Sequence, residues 1–588
     1  MTQEGLPRLP IGRKGFEKLR LDKAVYVDKT KYLPMVKEAG KYVFCARPRG
    51  FGKSLTVTAL DAFWSGRTDL FQGLAAEKAM TSPDFMARPV IRLDMSGPAY
   101  SDSKTVLEER ITGCLGVNAE RHKVSLRGAD SSDAFLRLIE DIHGASGKRV
   151  VILIDEYDAP VTSIIQRGRS EDNKRLLKQT WRVMQSFYKR IKIADEHIES
   201  VFVTGATKYS WIGESYPFHY LIDISLEPEF GAFMGFTHEE LENDFEGVMA
   251  KTAQELGTSE KGLLRTIKAR YDGFSFDGKT RLYNPFSVLS FLGARKFGNF
   301  WTESGSSDHV RKFMRDNCLT AEQFRGKVVD REFARDPGGI DLATPKGFLY
   351  QTGYLTLRYK SRGKYVLDYP NLEVRSSVSA MFLENLSHGA AWNDIRKYGR
   401  DLTRHLAGGD VDGMVGVFTR LLSSIIFHDH ADANREPRDM TLDVGVPEAA
   451  GEGSPTEPSR ETPEFLAEKL LRTLGERFYR SILHAGLWMA GASVTAEKGE
   501  SMERSDLEAA YGRHPYVIGL KMTDDVGGAD KAVKAGMVQM REKGCGRSRK
   551  EPILVSLAIG RRERNIVACL FKKDGQETAV EIKAAGKL

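Results

Sequence analysis

A glycine, a lysine and a serine stand together where a short apolar run passes through a turn into a helical pattern. The run YVFCA occupies positions 42–46, and Gly52, Lys53 and Ser54 come directly before LTVTALDAFW. Strand, glycine-containing turn and helix is the arrangement of a phosphate-binding loop, in which backbone N–H groups face the phosphates. We therefore predict that Lys53 reaches the β- and γ-phosphate oxygens of a nucleotide and that Ser54 binds Mg²⁺.

The turn departs from the GxxxxGK[ST] pattern at one position, because Arg47 stands where the first glycine would be. Glycine spacing alone is a modest signal, since a GKS triplet often occurs by chance. The loop residues that we predict to contact the nucleotide are Arg47, Arg49, Gly50, Gly52, Lys53, Ser54 and Leu55.

Two adjacent acids end a second apolar run, VVILIDEYD at 150–158. An acid at the carboxyl end of a buried parallel strand lies at the crevice where such sheets bind ligands. Asp155 suits Mg²⁺, and Glu156 is placed to polarise an attacking water, so we predict Glu156 and Lys53 as catalytic residues of an ATPase. Either motif alone could be an ordinary strand followed by an acidic helix cap. Both motifs together, roughly 100 residues apart in the right order, favour the phosphate site.

A third strand-like run, SVFVTGATKYS at 200–210, ends in polar residues. Thr204 at its tip could sense the γ-phosphate, and we predict that it contacts the nucleotide. A polar strand end without a chemical role fits the same residues.

The composition excludes several classes of protein. With 41% apolar and 28% charged residues, the 588-residue chain has ordinary globular usage and room for several domains. No apolar run reaches the ~18–20 residues of a membrane span, and the first residues lack a signal-peptide stretch. Five scattered cysteines form no CxxC, which indicates a reducing cytoplasm. The net charge of +7 permits contact with nucleic acid without arguing for it.

Four regions follow from the pattern of apolar residues. Residues 1–235 alternate short β-branched runs with amphipathic stretches, which predicts an α/β domain with a parallel sheet. Helical periodicity dominates 236–430 and predicts a helical lid domain. The segment 431–464 has five prolines and nine acids against three basic residues, so we interpret it as an acidic linker. Residues 465–588 predict a small basic α/β module with a helix followed by strands.

Several separate motifs resemble those of the bacterial AAA-ATPase-like family. In chain order they are YVDKT (26–30), RPRGFGKS (47–54), LIDEYDAP (153–160), TGATKYS (204–210), YDGFSF (271–276), YNPFSVL (283–289) and TGYLT (352–356). The resemblance is good over 7–380 and weak over 465–570. It implies a P-loop NTPase fold, ATP and Mg²⁺ as cofactors, ATPase activity and a C-terminal nuclease-like domain of the PD-(D/E)xK type.

The same resemblance assigns places to further residues. Tyr26, Asp28 and Lys29 would form a lead-in segment beside the nucleotide, while Tyr271, Asp272, Asn284 and Pro285 would lie in the lid. Arg270 could be an arginine finger or a surface residue. The family usually has a second arginine at the position of Gly50, and we expect the glycine to loosen the turn.

The C-terminal motif departs from the nuclease pattern. The resemblance places Glu476 on the preceding helix, Asp506 at the metal-binding position and Lys521 at the lysine of ExK, but Gly519 stands where the ExK glutamate should be. Because a nuclease of this type needs two carboxylates for Mg²⁺, activity would require a migrated acid, for which Glu508 is the candidate. The catalytic set would then be Asp506, Glu508 and Lys521.

Two other interpretations of the C-terminal module stay open. Asp574, Glu581 and Lys583 could form a separate site, although short ExK strings arise by chance in lysine-rich chains. The fold could also be retained for binding or assembly without cutting. Basic clusters at 541–550 and 561–564 predict contact with nucleic acid, with DNA favoured, or are solvated loops.

The sequence is therefore compatible with three functions. They are an ATP-gated nuclease in bacterial defence or mobile-element biology, a nucleotide-controlled binding protein, and a slow ATP switch that assembles on its ligand. A homo-oligomer is possible for the wider class, and no membrane contact is predicted. A tract at 428–432, HDHAD, resembles a metal site but is favoured as a solvated turn.

Overall fold

The computed structural model divides the chain into two compact units. The first comprises Met1–His309 and Phe324–Val374, and the second Val310–Gln323 and Arg375–Leu588. The structure describes residues 7–97, 104–165, 170–208, 221–303, 308–335, 345–387, 392–425, 466–467, 469–471, 475–496, 507–524, 526–542 and 552–582. The predicted linker 431–464 lies outside these ranges, and the four predicted domain boundaries stay predictions.

The first unit is built on a parallel sheet of five strands. The strands are β1 (Tyr42–Ala46), β2 (Val90–Asp94), β3 (Val150–Asp155), β4 (Ile198–Gly205) and β5 (Ile222–Asp223). Their order is β2-β3-β4-β1-β5, so one strand separates the strand of the phosphate loop from the strand of the acidic pair. All paired strands run parallel, which confirms the predicted α/β fold with a parallel sheet.

Helices make up much of the remaining described chain. In chain order they are α1 (Phe16–Leu21), α2 (Tyr32–Ala39), α3 (Lys53–Trp64), α4 (Glu77–Met80), α5 (Lys104–His122), α6 (Ser131–Ser146), α7 (Ala159–Ile165), α8 (Glu171–Ile193), α9 (His238–Asp244), α10 (Glu246–Glu255), α11 (Glu260–Tyr271), α12 (Pro285–Ala294), α13 (Phe300–Glu303), α14 (Asp308–Asp316), α15 (Arg331–Arg335), α16 (Pro345–Gln351), α17 (Leu372–Leu386), α18 (Trp392–Gly408), α19 (Val411–Ser423), α20 (Glu476–Met489) and α21 (Ala529–Glu542). None of the described helices is long and apolar enough to cross a membrane.

The central strand β3 explains why the sheet needs helices on both faces. All six of its residues are buried, including Ile152 and Ile154, which share a core with Phe135 of α6 and Phe187 of α8. A strand that is apolar on both faces is stable only when both faces are covered. The carboxyl ends of the strands are left as the accessible edge, where ligands of such sheets bind.

The region 236–430, in which helical periodicity dominates, also contains strands. A short pair, β6 (Asp272–Phe274) with β7 (Leu282–Tyr283), and a three-stranded antiparallel sheet, β8 (Val328–Asp330), β9 (Thr356–Ser361) and β10 (Lys364–Asp368), lie within it. These strands were not indicated by the sequence pattern. Arg362 and Gly363, the two residues between β9 and β10, have φ of 47° and 73°, as a two-residue hairpin turn requires.

The second unit contains a six-stranded sheet in chain order. The strands are β11 (Ser493–Ala496), β12 (Leu507–Tyr511), β13 (His514–Thr523), β14 (Ile553–Gly560), β15 (Asn565–Lys573) and β16 (Gln576–Val580). Only the pair β13 and β14 is parallel, and α21 forms the crossover between them. The first four strands coincide with the strand-like runs SVTAEKG (493–499), SDLEAAY (505–511), PYVIGLKM (515–522) and PILVSLAIG (552–560) of the sequence, whereas β15 and β16 were not predicted.

Candidate active site

The phosphate loop connects β1 to α3 at the carboxyl edge of the parallel sheet. The helix begins at Lys53, and Gly52 precedes it with φ of 94°, a left-handed conformation that glycine adopts without strain. The first turn of α3 therefore presents backbone N–H groups that have no partner within the helix. Such a helix start, with a lysine beside it, is suited to bind an anionic phosphate group.

A cavity of about 380 Å³ lies against this loop. Most of the predicted contact residues line it together, namely Arg49, Gly50, Gly52, Lys53, Ser54, Leu55 and Glu156. Apolar and aromatic residues also line it, among them Tyr26, Val27, Phe233, Phe236 and Pro285. The lead-in residues Tyr26 and Lys29 thus line the same cavity as the phosphate loop. A nucleotide requires polar groups for its phosphates and an apolar surface for its base, and the lining of this cavity contains both.

An ion pair joins the two residues predicted as catalytic. Lys53 Nζ lies 3.3 Å from Glu156 Oε1, and the side chain of Lys53 is 4% exposed while that of Glu156 is 29% exposed. Glu156 has φ of 50°, which is uncommon for a residue other than glycine, asparagine or aspartate. Such conformations concentrate at functional sites, where the surrounding fold holds them. The structure thus brings Lys53 and Glu156 into direct contact within one cavity.

Asp155 is the last residue of β3, directly before Glu156 in the chain, and it is buried. Burial raises the pKa of its carboxyl group to about 6, against the opposing effect of a hydrogen bond from Ser54. Its Oδ1 atom is buried and has no hydrogen-bond partner among the described residues. A buried carboxylate oxygen without a partner, beside a serine hydroxyl, is a donor set that fits Mg²⁺, which prefers oxygen ligands.

Asp158, which sequence reasoning passed over, fixes the ends of β3 and β4 to each other. It is buried, and its carboxylate accepts hydrogen bonds from Ala206 N (3.2 Å), Thr207 N (2.8 Å) and Thr207 Oγ1. A side chain at Gly205 would collide with Asp158, since its Cβ would lie 2.3 Å from Oδ1. The third acid of LIDEYD was the available signal for this contact.

Two predicted contact residues have side chains outside the cavity lining. Arg47 is fully buried, and its guanidinium donates to the carbonyls of Ala46 and Ser225 (2.8 Å each) and of Phe230 (3.0 Å). Thr204 is also buried and donates its hydroxyl to Cys45 O at 2.6 Å. Both side chains therefore hold the loop and the neighbouring strand in place, because Nη1 and Nη2 of Arg47 and the hydroxyl of Thr204 donate to backbone carbonyls.

The expectation that Gly50 loosens the turn stays a prediction, but the structure gives a steric reason for a glycine here. Its φ is 82°, and a Cβ there would lie 2.9 Å from Asn284 Oδ1 and 3.1 Å from Phe286 Cβ. Asn284 caps α12 by accepting from Phe286 N and Ser287 N, and it donates Nδ2 to Arg49 O at 3.1 Å. The glycine allows the start of α12 to approach the loop closely. Arg270 lies elsewhere, with its guanidinium 5.4 Å from the ring centre of Phe297.

Comparison with known proteins agrees with this geometry. Residues 10–213 match the family model described as "Predicted AAA-ATPase". This segment is similar to the AAA-ATPase-like domains that the model describes. The matched range contains the phosphate loop, the acidic pair and the end of β4, and it therefore supports a P-loop protein that hydrolyses ATP.

Two further similarities cover more of the chain. A protein of Azotobacter chroococcum mcd 1, described as an uncharacterized protein in the vnfD 5′ region, is 27% identical over 580 residues, which are 97% of this chain and 99% of that protein. A signal transduction ATPase with numerous domains (STAND) and a tetratricopeptide repeat sensor from Pyrococcus horikoshii is 15% identical, with a TM-score of 0.23. That match covers 68% of this chain and 53% of the Pyrococcus protein, or about half its length.

The residues predicted for a nuclease site are only partly described. Asp506 and Lys583 lie outside the described residues. Glu508 pairs across the sheet with Val517, so it shares a face with Gly519 and Lys521. Lys521 is four positions further along β13 than Val517, which corresponds to roughly 13 Å along a strand. Glu508 is therefore on the expected face but far from Lys521.

The position of Gly519 is enclosed. Gly519 pairs in register with Ser556 of β14, which is fully buried, and both are covered by α21. A Cβ at Gly536 of α21 would lie 2.3 Å from Ser556 Oγ and 3.5 Å from Lys521 Cγ, which shows how closely the helix packs there. Among the residues that the structure describes, no group of three or more His, Cys, Asp or Glu side chains is placed to hold a metal ion.

The other C-terminal candidates have separate positions. Glu476 is exposed at the start of α20, Asp574 lies in the turn between β15 and β16 with φ of 50°, and Glu581 is exposed after β16. In the basic clusters, Arg541 pairs with Glu577, and Arg561 pairs with Asp524 at 3.0 Å. Residues 543–551 and 428–432 lie outside the described ranges.

Proposed function

We propose that the first unit binds ATP with Mg²⁺ and hydrolyses it in the cavity against the phosphate loop. One observation carries this proposal: Lys53, Ser54 and Glu156 line a single cavity, and the buried Asp155, next to Glu156 in the chain, has its carboxyl group beside Ser54. These are a phosphate cation, a metal-binding hydroxyl, a proton acceptor and a metal-binding carboxylate, which are the groups that phosphoryl transfer to water needs.

Each residue has a defined task in this reaction. The N–H groups at the start of α3 and the Lys53 ammonium bind the phosphate oxygens. Ser54 and Asp155 would hold Mg²⁺, which when bound neutralises charge on the phosphates. Glu156 accepts a hydrogen bond from the attacking water, orients it and receives its proton. The apolar residues of the cavity lining, including Tyr26 and Phe236, enclose the base of the nucleotide.

The ion pair between Lys53 and Glu156 has to change when phosphate binds. An incoming γ-phosphate competes with the Glu156 carboxylate for the Lys53 ammonium, since both are anions. We propose that phosphate replaces Glu156 at Lys53 and thereby releases the carboxylate to bind water. Glu156 would then be available as a proton acceptor only when ATP is bound.

Replacing Lys53 with alanine should weaken ATP binding roughly 10- to 100-fold, since hydrogen bonds to charged groups contribute about 1.5–3 kcal/mol. Turnover at fixed ATP should fall accordingly. The measurement is the dissociation constant of a fluorescent ATP analogue together with phosphate release. Lys174→Ala is the matched control, because Lys174 is an exposed lysine on α8 that pairs with the exposed Glu171. Unchanged turnover in Lys53→Ala would exclude the proposed phosphate site.

For the second unit we propose binding or assembly without cleavage. The support is the enclosed position of Gly519 beneath α21, together with the separation of Glu508 from Lys521 along β13. A nucleic-acid partner, with DNA favoured, is proposed from the basic C-terminal composition and the family resemblance. Roles in defence or mobile-element biology, and a homo-oligomeric state, rest on the resemblance alone. ATP-gated cleavage is the alternative.

No Mg²⁺-dependent cleavage of linear, circular or single-stranded DNA, or of RNA, is expected with or without ATP. The physical reason is that one Mg²⁺-binding carboxylate is replaced by Gly519. Gel assays of wild type, Asp506→Ala and Lys53→Ala would check this. Cleavage that Asp506→Ala abolishes would instead establish the ATP-gated nuclease, whereas cleavage that persists in that variant would point to contamination.

A further inference from the structure

Arg47 and Arg49 lie two residues apart in the phosphate loop but are used in different ways. Arg47 is fully buried, donates to three backbone carbonyls and stacks 4.1 Å from the ring centre of Phe276. Arg49 is exposed and lines the nucleotide cavity. Within the described chain, its guanidinium donates one hydrogen bond, from Nη2 to Trp301 O at 2.7 Å. Its Nε and Nη1 donors have no partner among the described residues.

Trp301 holds Arg49 at two points. The indole Nε1 donates to Arg49 O at 2.7 Å, while the backbone carbonyl of Trp301 accepts from the Arg49 guanidinium. Asn284 Nδ2 donates to the same carbonyl of Arg49 at 3.1 Å. The backbone and the side chain of Arg49 are therefore both fixed relative to one buried tryptophan. A cation fixed in this way is preorganised for a ligand in the cavity.

Trp301 is itself fixed by a buried carboxyl group. Glu373, which is fully buried, accepts from Trp301 N at 2.8 Å and from Ser287 Oγ at 2.8 Å. Trp301 is 2% exposed and packs against Phe274 and Tyr354, with ring centres 5.8 Å and 5.2 Å away. Glu373 thus orients Trp301, and Trp301 orients Arg49.

Arg49 and Glu156 line the same cavity. Loss of solvent lowers the pKa of the Arg49 guanidinium, whereas the negative charge of Glu156 acts in the opposite direction. Arginine stays charged at every accessible pH.

We infer that Arg49 is a catalytic residue that supplies, from within the same chain, the cation for the γ-phosphate during hydrolysis, with Trp301 and Glu373 as positioning residues. This rests on the proposed ATPase function. In the reaction the water oxygen forms a bond to the γ-phosphorus while the bond to the β,γ-bridging oxygen breaks. The water gives its proton to Glu156, and the electron pair of the broken bond leaves with ADP. Negative charge on the transferred oxygens is stabilised by Nε and Nη1 of Arg49.

The test compares chemistry with binding in Arg49→Ala and Arg49→Lys. Because the cation acts on the transferred phosphoryl group, kcat should fall on the order of 100-fold in Arg49→Ala, while the dissociation constant of ADP changes less than threefold. Guanidinium ions in solution should partly restore kcat in Arg49→Ala and have no effect on wild type. Arg175→Ala is the control, because Arg175 is an exposed arginine on α8.

Trp301→Phe tests the positioning step, since it removes the indole N–H but keeps both backbone contacts of Trp301. We expect a fall in kcat of about tenfold with unchanged ADP affinity. Wild-type kcat in Arg49→Ala overturns the inference and leaves the proposed ATPase standing. A fall in ADP affinity equal to the fall in kcat also overturns it, because Arg49 would then act in binding alone. Absence of ATP turnover in the wild-type chain overturns the proposed function itself.

Discussion

Replacing Glu156 with glutamine is expected to lower ATP turnover by roughly two to four orders of magnitude, while ATP stays bound. Glutamine has nearly the shape of glutamate and can still hydrogen-bond a water, but it cannot accept the proton that the water releases. A substitution of similar shape is needed at this position, because the backbone of Glu156 has φ of 50° and its carboxylate lies 3.3 Å from Lys53 Nζ. A loss confined to the chemical step is the signature of a missing proton acceptor.

The affinity of Glu156→Gln for ATP should not fall together with its turnover. In the wild-type chain Lys53 is paired with a carboxylate, which competes with the γ-phosphate for the ammonium group. Neutral glutamine competes less, so we expect the dissociation constant of ATP to stay equal or to decrease in Glu156→Gln.

Single-turnover hydrolysis and nucleotide retention after gel filtration would separate the two effects. Glu171→Gln is the matched control, because Glu171 is an exposed glutamate on α8. Turnover at the wild-type rate in Glu156→Gln would remove Glu156 from the mechanism. A combined loss of binding and turnover would instead assign it to the structure of the loop.

The part of the site that the sequence predicted is the part encoded by local spacing. Lys53, Ser54 and the loop glycines are adjacent in the chain, and the parallel sheet places Asp155 and Glu156 at the same edge. Strand periodicity and turn chemistry fix such positions without knowledge of distant contacts. The same reasoning found β1 to β4 of the first sheet.

The contacts that position the loop could not be predicted in this way. Trp301 lies 252 residues from Arg49 along the chain, and Asn284 lies 235 residues away. Glu373 lies 72 residues beyond Trp301. Nothing in the local pattern around these residues encodes a partner at that distance, because only tertiary packing creates the contact. Arg47 is an example of the opposite error. The sequence predicted it as a nucleotide contact, but its side chain is buried and donates to backbone carbonyls.

The C-terminal module shows a similar limit. Alternation of apolar residues indicated β12 and β13, and their register places Glu508 on the face of Lys521. The sequence could not show that α21 covers Gly519 and Ser556, because helix packing depends on the crossover between β13 and β14. The chemistry of this sheet face was therefore open until its covering helix was known.

Glu373 should make the first unit less stable as the pH rises from about 5 to 8. Burial raises the pKa of its carboxyl group to about 7, and repulsion by Glu303 adds to this, whereas hydrogen bonds from Trp301 and Ser287 and the charge of Arg270 oppose it. The folded state therefore keeps a proton that the unfolded chain releases near pH 4.5. Stability from this group is complete below pH 4.5 and is lost as the pH rises through about 7.

The size of the effect follows from the two pKa values. At 1.36 kcal/mol per pKa unit, the shift corresponds to about 3 kcal/mol. Asp155 and Asp158 also have pKa values raised by burial to about 6, so wild type alone would not isolate Glu373. Glu373→Gln keeps the shape and removes the titration, and the other two groups stay in both proteins.

The measurement is urea unfolding of wild type and Glu373→Gln between pH 4 and pH 8, followed by hydrogen exchange in peptides that contain Trp301. The free energy of unfolding of wild type minus that of Glu373→Gln should fall by about 3 kcal/mol over this range. A difference that is constant with pH would mean that the carboxyl group of Glu373 has the same pKa in the folded and unfolded chains. Its hydrogen bonds to Trp301 and Ser287 would then act as fixed contacts, and the orientation of Trp301 would be independent of pH.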